Sequence, residues 1–425
     1  GLAQPIKVFL SSTIWQQGGP SFISGRQHYC YASARRKFEA VLHRLDVELH
    51  DVPRPEIYAA PVSRPFVDET SLHLIFKPTG WIRLFKGVRN IAWVTWEFDK
   101  LTGREKSGQQ HPFTNMRRML TIPHEIWTPC EFTREVFRAA GVPNVHRIPA
   151  AIAVPFVALP IRLPGIPPDL DKIPWINLRI GFGRYGDINR SFPSRPHRLS
   201  EIIRDFYGGQ QPLVFVSMLN PHEPGKNLSA LIGGFLEFHN DHPDSLLLLK
   251  LVVDNTGDPL ESVPTGILRL HISGYELIDC NAVWLATAQL AEPVVADLYR
   301  FSSAYLCSSL AEGQNPPLQE AMAYGVVPVT TRHTAMLDYI REDNAVIIRS
   351  QRRPIDRPDT AMGPDPDASW HVCTSTDVAC ALRQFARLGE AARQELGVRA
   401  RATIACDFSL TTVARLIHSR LLRQQ

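Results

Sequence analysis

Two glutamates, Glu312 and Glu320, bracket the string Gly313-Gln314-Asn315-Pro316-Pro317-Leu318-Gln319, which continues as Ala321-Met322-Ala323-Tyr324-Gly325. Pro317 suits the first position of a helix, where a missing N–H costs nothing, and Gly325 suits its end. The helix so bounded is barely two turns long, with Glu312 in the loop before it and Glu320 in its first turn. Its N–H groups and the positive end of its dipole face the loop, a setting that suits a diphosphate. A carboxylate beside that anion is better used on sugar hydroxyls, so Glu320 reads as a hydroxyl acceptor. Glu320 alone is also explained by an ordinary acidic first turn. The whole string is not, because a Gly- and Pro-rich loop with two acids has no packing reason to exist.

Other chemical signals are weaker. Gly181-Phe182-Gly183-Arg184-Tyr185-Gly186 has the form of a dinucleotide fingerprint, but the residues after it do not open a helix, so the string reads as a loop. Asp365-Pro366-Asp367 has a cation-binding form in a run of helix and strand breakers, where a solvated loop is the better reading. His371-Val372-Cys373 lacks partners at metal-ligand spacing. No metal site is expected.

The elements that must carry these groups alternate. Apolar runs at 6–10, 72–76, 91–95 and 126–128 read as buried strands, and 21–45 and 131–140 as helices, the latter stopped by Gly141. Breakers crowd the next stretch, among them Pro164, Pro167, Pro168, Pro174, Pro193 and Pro196. Alternation restarts with strands at 213–218, 246–253, 267–272, 304–308 and 326–330, separated by helices at 227–239, 293–299 and 317–324. The expected division is an N-terminal Rossmann-like domain over 1–155, a Pro-rich linker or insertion over 156–211, a second Rossmann-like domain over 212–405, and a closing helix over 406–425. Such alternation implies parallel sheets with helices on both faces.

Composition narrows the class. The chain has 425 residues, 44% hydrophobic and 21% charged, which excludes wholesale disorder. A net charge of +4 does not fit a dedicated nucleic-acid binder. Seven scattered cysteines without a CxxC pair read as reduced thiols, and no export leader or spanning segment is visible, so a cytoplasmic place is expected.

The run from Glu312 to Gly325 resembles the E-x7-E motif of retaining glycosyltransferases of family 4, which have the GT-B fold. The likeness extends to Leu298-Tyr299-Arg300, to 304–309, to 326–331 and to His333–Ile340, where Asp338 stands in place of a more common Glu. Upstream, Asn220-Pro221-His222-Glu223-Pro224-Gly225-Lys226-Asn227-Leu228 is similar to the loop that serves the donor diphosphate, and Trp96-Glu97 and Glu125–Pro129 resemble N-domain landmarks. The resemblance implies two facing Rossmann-like domains, with a C-terminal helix crossing back to the first. It implies that Glu320 binds the ribose, that Glu312 and the amides of Gly313, Gln314, Asn315 and the Pro316–Leu318 turn contact the donor sugar, and that Lys226 neutralises the leaving diphosphate. Gly18 and Gly19 would approach the diphosphate from the first domain, although a plain turn explains them equally. The Arg that normally accompanies the Lys is absent here, with Gly225 and Asn220 at its places and His222 as the nearest substitute. Glu97 is the candidate on the acceptor side, against the alternative of a surface loop acid.

The implied reaction is metal- and cofactor-free transfer of a hexosyl unit from a nucleotide diphosphate sugar to a saccharide or lipid-linked saccharide hydroxyl, with retention, in polysaccharide or glycan synthesis. Two alternatives stay open: a sugar-nucleotide epimerase, and a non-catalytic nucleotide-sugar-binding subunit of a transferase complex. Trp81, Arg83, Phe85, Lys86 and Arg89, with Arg35-Arg36-Lys37 and Arg117-Arg118, read either as peripheral contact with the inner membrane face or as ordinary solvent faces.

Overall fold

Short apolar runs become the strands of two sheets. The computed structural model describes residues 5–12, 27–58, 71–101, 115–156, 163–177, 196–221, 223–252, 281–355 and 367–422. The first sheet holds β1 (Ile6–Ser12), β2 (Val47–Asp51), β3 (Leu72–Phe76), β4 (Arg89–Trp93), β5 (Glu125–Thr128) and β6 (Val145–Arg147). Their order is β2-β1-β3-β4-β5-β6, every pair parallel. Helix α1 (Gln27–Leu42) packs Phe38 and Val41 on one face against Leu10, Leu74 and Trp93. On the other face α2 (Met116–Leu120) and α3 (Glu131–Ala139) bury Met119 and Phe137 against Ile75, Ala92 and Ile126. Gly141, at φ +80°, ends the α3 turn in the left-handed region.

The second sheet is built around the Leu-rich run Ser245–Leu251. It contains β7 (Ile176–Asn177), β8 (Leu213–Leu219), β9 (Ser245–Leu251), β10 (Val283–Ala286), β11 (Ala304–Cys307), β12 (Val327–Thr330) and β13 (Val346–Ile347), in the order β13-β12-β11-β8-β9-β10-β7. All pairs are parallel except β10 with β7. The helices are α4 (Pro168–Asp171), α5 (Leu199–Tyr207), α6 (Leu228–Asp241), α7 (Glu292–Phe301), α8 (Pro316–Ala323), α9 (Ser375–Arg387) and α10 (Glu390–Asp407). Helices α6 and α9 cover one face through Phe235, Phe238, Leu382 and Phe385. The others cover the opposite face through Leu170, Ile202, Leu298, Leu318 and Ile404.

The Pro-rich stretch therefore does more than link: within it β7 extends the second sheet, and Leu170, Ile173, Trp175 and Leu199 join that sheet's core. Pro spacing hides this because the elements are very short. Strand β10 was not expected either, and the expected strand at 267–272 lies outside the described residues. A ribbon of β14 (Gln351–Pro354) and β15 (Ser369–Val372) pairs antiparallel beside the second sheet.

The last helix, α11 (Leu410–Leu422), returns to the first sheet and buries Val413, Ile417 and Leu421 with Val8 and Leu10. The outward and returning crossings touch, since Ile152 N–H donates to Phe408 O at 2.8 Å and Ile152 bridges Ser409. This is the two-lobed GT-B architecture, with the carboxyl ends of both sheets' strands facing a shared cleft. No helix among the described residues is long and apolar enough to cross a membrane.

Candidate functional site

The chain leaving β11 turns back on itself before α8, and that turn carries Glu312. Glu312 is buried, at 4% exposure, and its carboxylate is met by several hydrogen-bond donors. Lys226 Nζ lies 2.8 and 3.0 Å from its two oxygens, the Ser309 hydroxyl donates at 2.6 Å, and Asn315 Nδ2 donates at 3.1 Å. The backbone N–H of Glu312 donates to Thr334 Oγ1 at 3.0 Å. His333 anchors the same turn, with Nε2 donating to Ser309 O at 2.9 Å. Burial, then the stacked His371 ring 4.6 Å away, push its pKa down to about 3, so this imidazole is neutral at physiological pH.

Lys226 closes a 3₁₀ turn, Pro224–Lys226, after β8. Burial alone would lower its pKa, but Glu312, Glu223 and Glu97 more than offset that and hold the ammonium well above its ordinary value. Glu223 Oε2 lies 3.5 Å from Nζ. Asn220 donates to Glu223 at 3.2 Å, so the residue standing where an Arg was implied is tied to an acid. Glu97 arrives from the first lobe, beyond β4. Burial, then repulsion by Glu223 and Glu312, raise its carboxyl to about 8 against the pull of Lys226. Glu312, Lys226 and Glu97, three segments far apart in sequence, thus form one electrostatic cluster. Glu223 is the member that sequence reasoning missed, although its i,i+3 spacing to Lys226 was visible.

The helix start differs from expectation. Pro316 is the first helical residue, Pro317 the second, and Leu318 N–H is capped by Asn315 Oδ1 at 3.2 Å. The helix therefore offers no free N–H in its first turn, and Glu320 stands in its second. The donors are instead in the loop: among the described residues no acceptor meets the backbone N–H of Gly313, Gln314 or Asn315. Asn315 itself takes the left-handed conformation, φ 63°.

The remaining candidates divide. A Cβ on Gly313 would collide with Thr95 Oγ1 of the first lobe, so this glycine permits close approach of the lobes. The Gln314 side chain is occupied in holding the crossing segment: Nε2 donates to Ala150 O at 2.7 Å, and Ala150 N–H donates to Oε1 at 3.0 Å. Leu318 is a core side chain, fully buried. Glu320 is paired across the cleft with Lys37 of α1 at 2.5 Å. Gly18, Gly19, His222, the 181–186 string, Asp365 and Pro366 lie outside the described residues.

The basic and aromatic residues differ in burial and pairing. Phe85 is core, Arg89 pairs with Glu125, Arg35 pairs with Glu39 and Asp51, and only Trp81 and Lys86 of the Trp81–Arg89 group are exposed.

No family model matches the chain, and no curated protein matches it. Solved structures do. A point mutant of Staphylococcus aureus TarM, solved with fondaparinux, alpha-GlcNAc-glycerol and UDP, aligns at TM-score 0.52 and 11% identity over 85% of this chain. The chain spans 57% of the length of TarM. Anabaena HepE in complex with UDP aligns at TM-score 0.54 and 12% identity, covering 98% of this chain and 99% of its own. An Escherichia coli structure described as trehalose-6-phosphate bound with UDP-2-fluoro glucose aligns at 0.60 and 10% identity, covering 98% of each chain. At these identities the likeness is one of fold, and the fold is GT-B.

Proposed function

We propose that this protein is a glycosyltransferase that moves a hexosyl unit from a nucleotide diphosphate sugar to a hydroxyl of a saccharide or lipid-linked saccharide, with retention and without a metal, in polysaccharide or glycan synthesis. The observation that carries the reading is the meeting of Glu312, Lys226 and Glu97 in a cleft between two Rossmann-like lobes. The fold neighbours solved with UDP support a nucleotide ligand, with UDP the first nucleotide to try.

In this reading the donor's sugar hydroxyls donate to Glu312, the loop amides of Gly313–Asn315 face donor oxygens, and the ribose hydroxyls take Glu320 from Lys37. Lys226 stabilises the negative charge that builds on the departing phosphate oxygen, where a positioned ammonium acts selectively in the transition state. The acceptor oxygen bonds to the anomeric carbon on the face from which that phosphate oxygen leaves, and its proton passes to the leaving phosphate. At neutral pH Glu97 carries a proton and can donate it in a hydrogen bond without adding charge beside the diphosphate.

Transfer and hydrolysis of UDP-, GDP- and ADP-sugars by the wild type, Glu312→Ala and Lys226→Ala test the reading. Each variant is expected to lose about 100- to 1000-fold in kcat, and the product anomer should match the donor. Full activity in both variants overturns the site. A donor isomerised without any acceptor would point to an epimerase, and tight nucleotide binding without turnover to a binding subunit.

A further inference from the structure

Charge at the Lys226 end does not favour an anion. Lys226 brings one positive charge against the carboxylates of Glu312 and Glu223, and Glu97 adds a third when it ionises. A diphosphate entering there meets a site that is already net negative. Some other cation must supply the missing attraction.

Lys250 is a buried cation at the carboxyl end of the same sheet. It follows the run Leu246–Leu249 on β9 and is 6% exposed, on the sheet face that Leu246 and Leu248 share. Its Nζ donates to Leu251 O at 2.6 Å, a carbonyl of the adjoining residue, and no carboxylate pairs with it among the described residues. Burial alone pushes its ammonium down to about 8. Among the described residues no counter-ion offsets the cost of burying this charge, several kcal/mol as an order of magnitude, whereas a fifth leucine would carry no such cost. The chain keeps an ammonium there instead.

Its place fits a ligand role. Lys250 pairs with Met218 of β8, at the carboxyl end of the central strands, where open parallel sheets receive ligands. Asn220, two residues past Met218, opens the loop that holds Glu223 and Lys226. Toward the other side, Met218 Sδ lies 4.0 Å from Tyr299 OH, and the Tyr299 ring lies 6.2 Å from that of Tyr324, which senses the charge of Glu320. Lys250 thus lies beside the strand that leads into the Lys226 loop, next to the row Met218, Tyr299 and Tyr324.

We propose that Lys250 is a phosphate contact for the nucleotide half of the donor, leaving Leu251 O for a phosphate oxygen when the nucleotide binds. The proposal rests on the nucleotide-sugar reading above and names a recognition residue within it.

Calorimetry tests it in two steps. Wild-type protein is titrated with UDP, GDP and ADP, and the tightest of these is then compared with its nucleoside and nucleoside monophosphate on the wild type, Lys250→Met and Lys250→Arg. Lys250→Met is expected to weaken the diphosphate by about 10- to 100-fold, the range of a lost charge-assisted bond, to leave nucleoside affinity within about twofold, and to raise the Tm of the ligand-free protein. Lys250→Arg should restore part of the diphosphate affinity. Unchanged diphosphate affinity in Lys250→Met, or an equal loss for the nucleoside, overturns the assignment to phosphate. A wild type that binds none of the three diphosphates sinks the nucleotide reading together with this one, whereas a wild type that binds while Lys250→Met binds equally well sinks this one alone.

Discussion

Lys226 stands among acids, and the titration of one of them decides how the cluster behaves with pH. The Glu97 carboxyl sits at about 8 against an ordinary 4.5, because burial and the neighbouring acids Glu223 and Glu312 disfavour its ionised form while Lys226 only partly compensates. Between those two values the folded chain keeps a proton that the unfolded chain has lost. Stability therefore falls as pH rises from 4.5 to 8 on account of this group, and levels off above. Glu97→Gln cannot ionise and escapes that loss. Its Tm is expected to exceed that of the wild type by a few degrees at pH 8.5 and to match it near pH 4.5; a difference that stays constant across the range would mean that Glu97 titrates normally. Donor affinity gives a second readout, since the wild type should lose affinity above pH 8 as a further negative charge appears, and Glu97→Gln should not.

The backbone of α8 offers few donors, and Asn315 before it does much of the local work. Asn315 caps Leu318, donates to Glu312 and occupies the left-handed region, which an asparagine tolerates and an alanine does not. Asn315→Ala loses the cap, the carboxylate bond and the conformational preference, and is expected to destabilise the protein by about 1–3 kcal/mol in urea titration. Asn315→Gly keeps the conformation and should cost less; equal losses would show that backbone strain plays no part. The short helix between Glu312 and Gly325 was legible because its prolines and glycine are local signals, yet those signals placed its start at Pro317 and hid that Pro316 and Pro317 bring no N–H and that the Asn315 cap takes the next. Strands β8, β9, β11 and β12 were legible as apolar runs. Strand β10 and the short β7 were not, since four or two buried residues carry no period, and the latter sits among prolines. Pairings such as Lys226 with Glu312 depend on contacts between distant segments, which no local pattern records.

Besides the packing of α11 on the first sheet, polar bonds cross the cleft. Arg147 of β6 meets Asp338 at 2.7 Å, Lys37 meets Glu320, Arg352 of the β14–β15 ribbon meets Asp99 at 2.5 Å, and Ser369 N–H donates to Asp99 at 2.8 Å. The loop carrying Glu312 also meets the first lobe, at Gly313 against Thr95. A Cβ at 313 would collide with Thr95 Oγ1, so a side chain there would force the two segments apart. Gly313→Ala is therefore expected to lose activity through geometry, since Glu97 rides on the same segment as Thr95 while Glu312 adjoins Gly313. A displacement of about 1 Å between groups so placed costs up to ~100-fold. Thr95→Ala removes the hydroxyl that the new methyl would strike, so the double variant should recover most of the activity while Thr95→Ala alone stays near the wild type. Transfer rates and denaturation midpoints of all four proteins measure that coupling. If Thr95→Ala restores nothing to Gly313→Ala, the glycine is needed for its own loop, and closeness of the lobes at this point is not what sets the distance between Glu97 and Glu312.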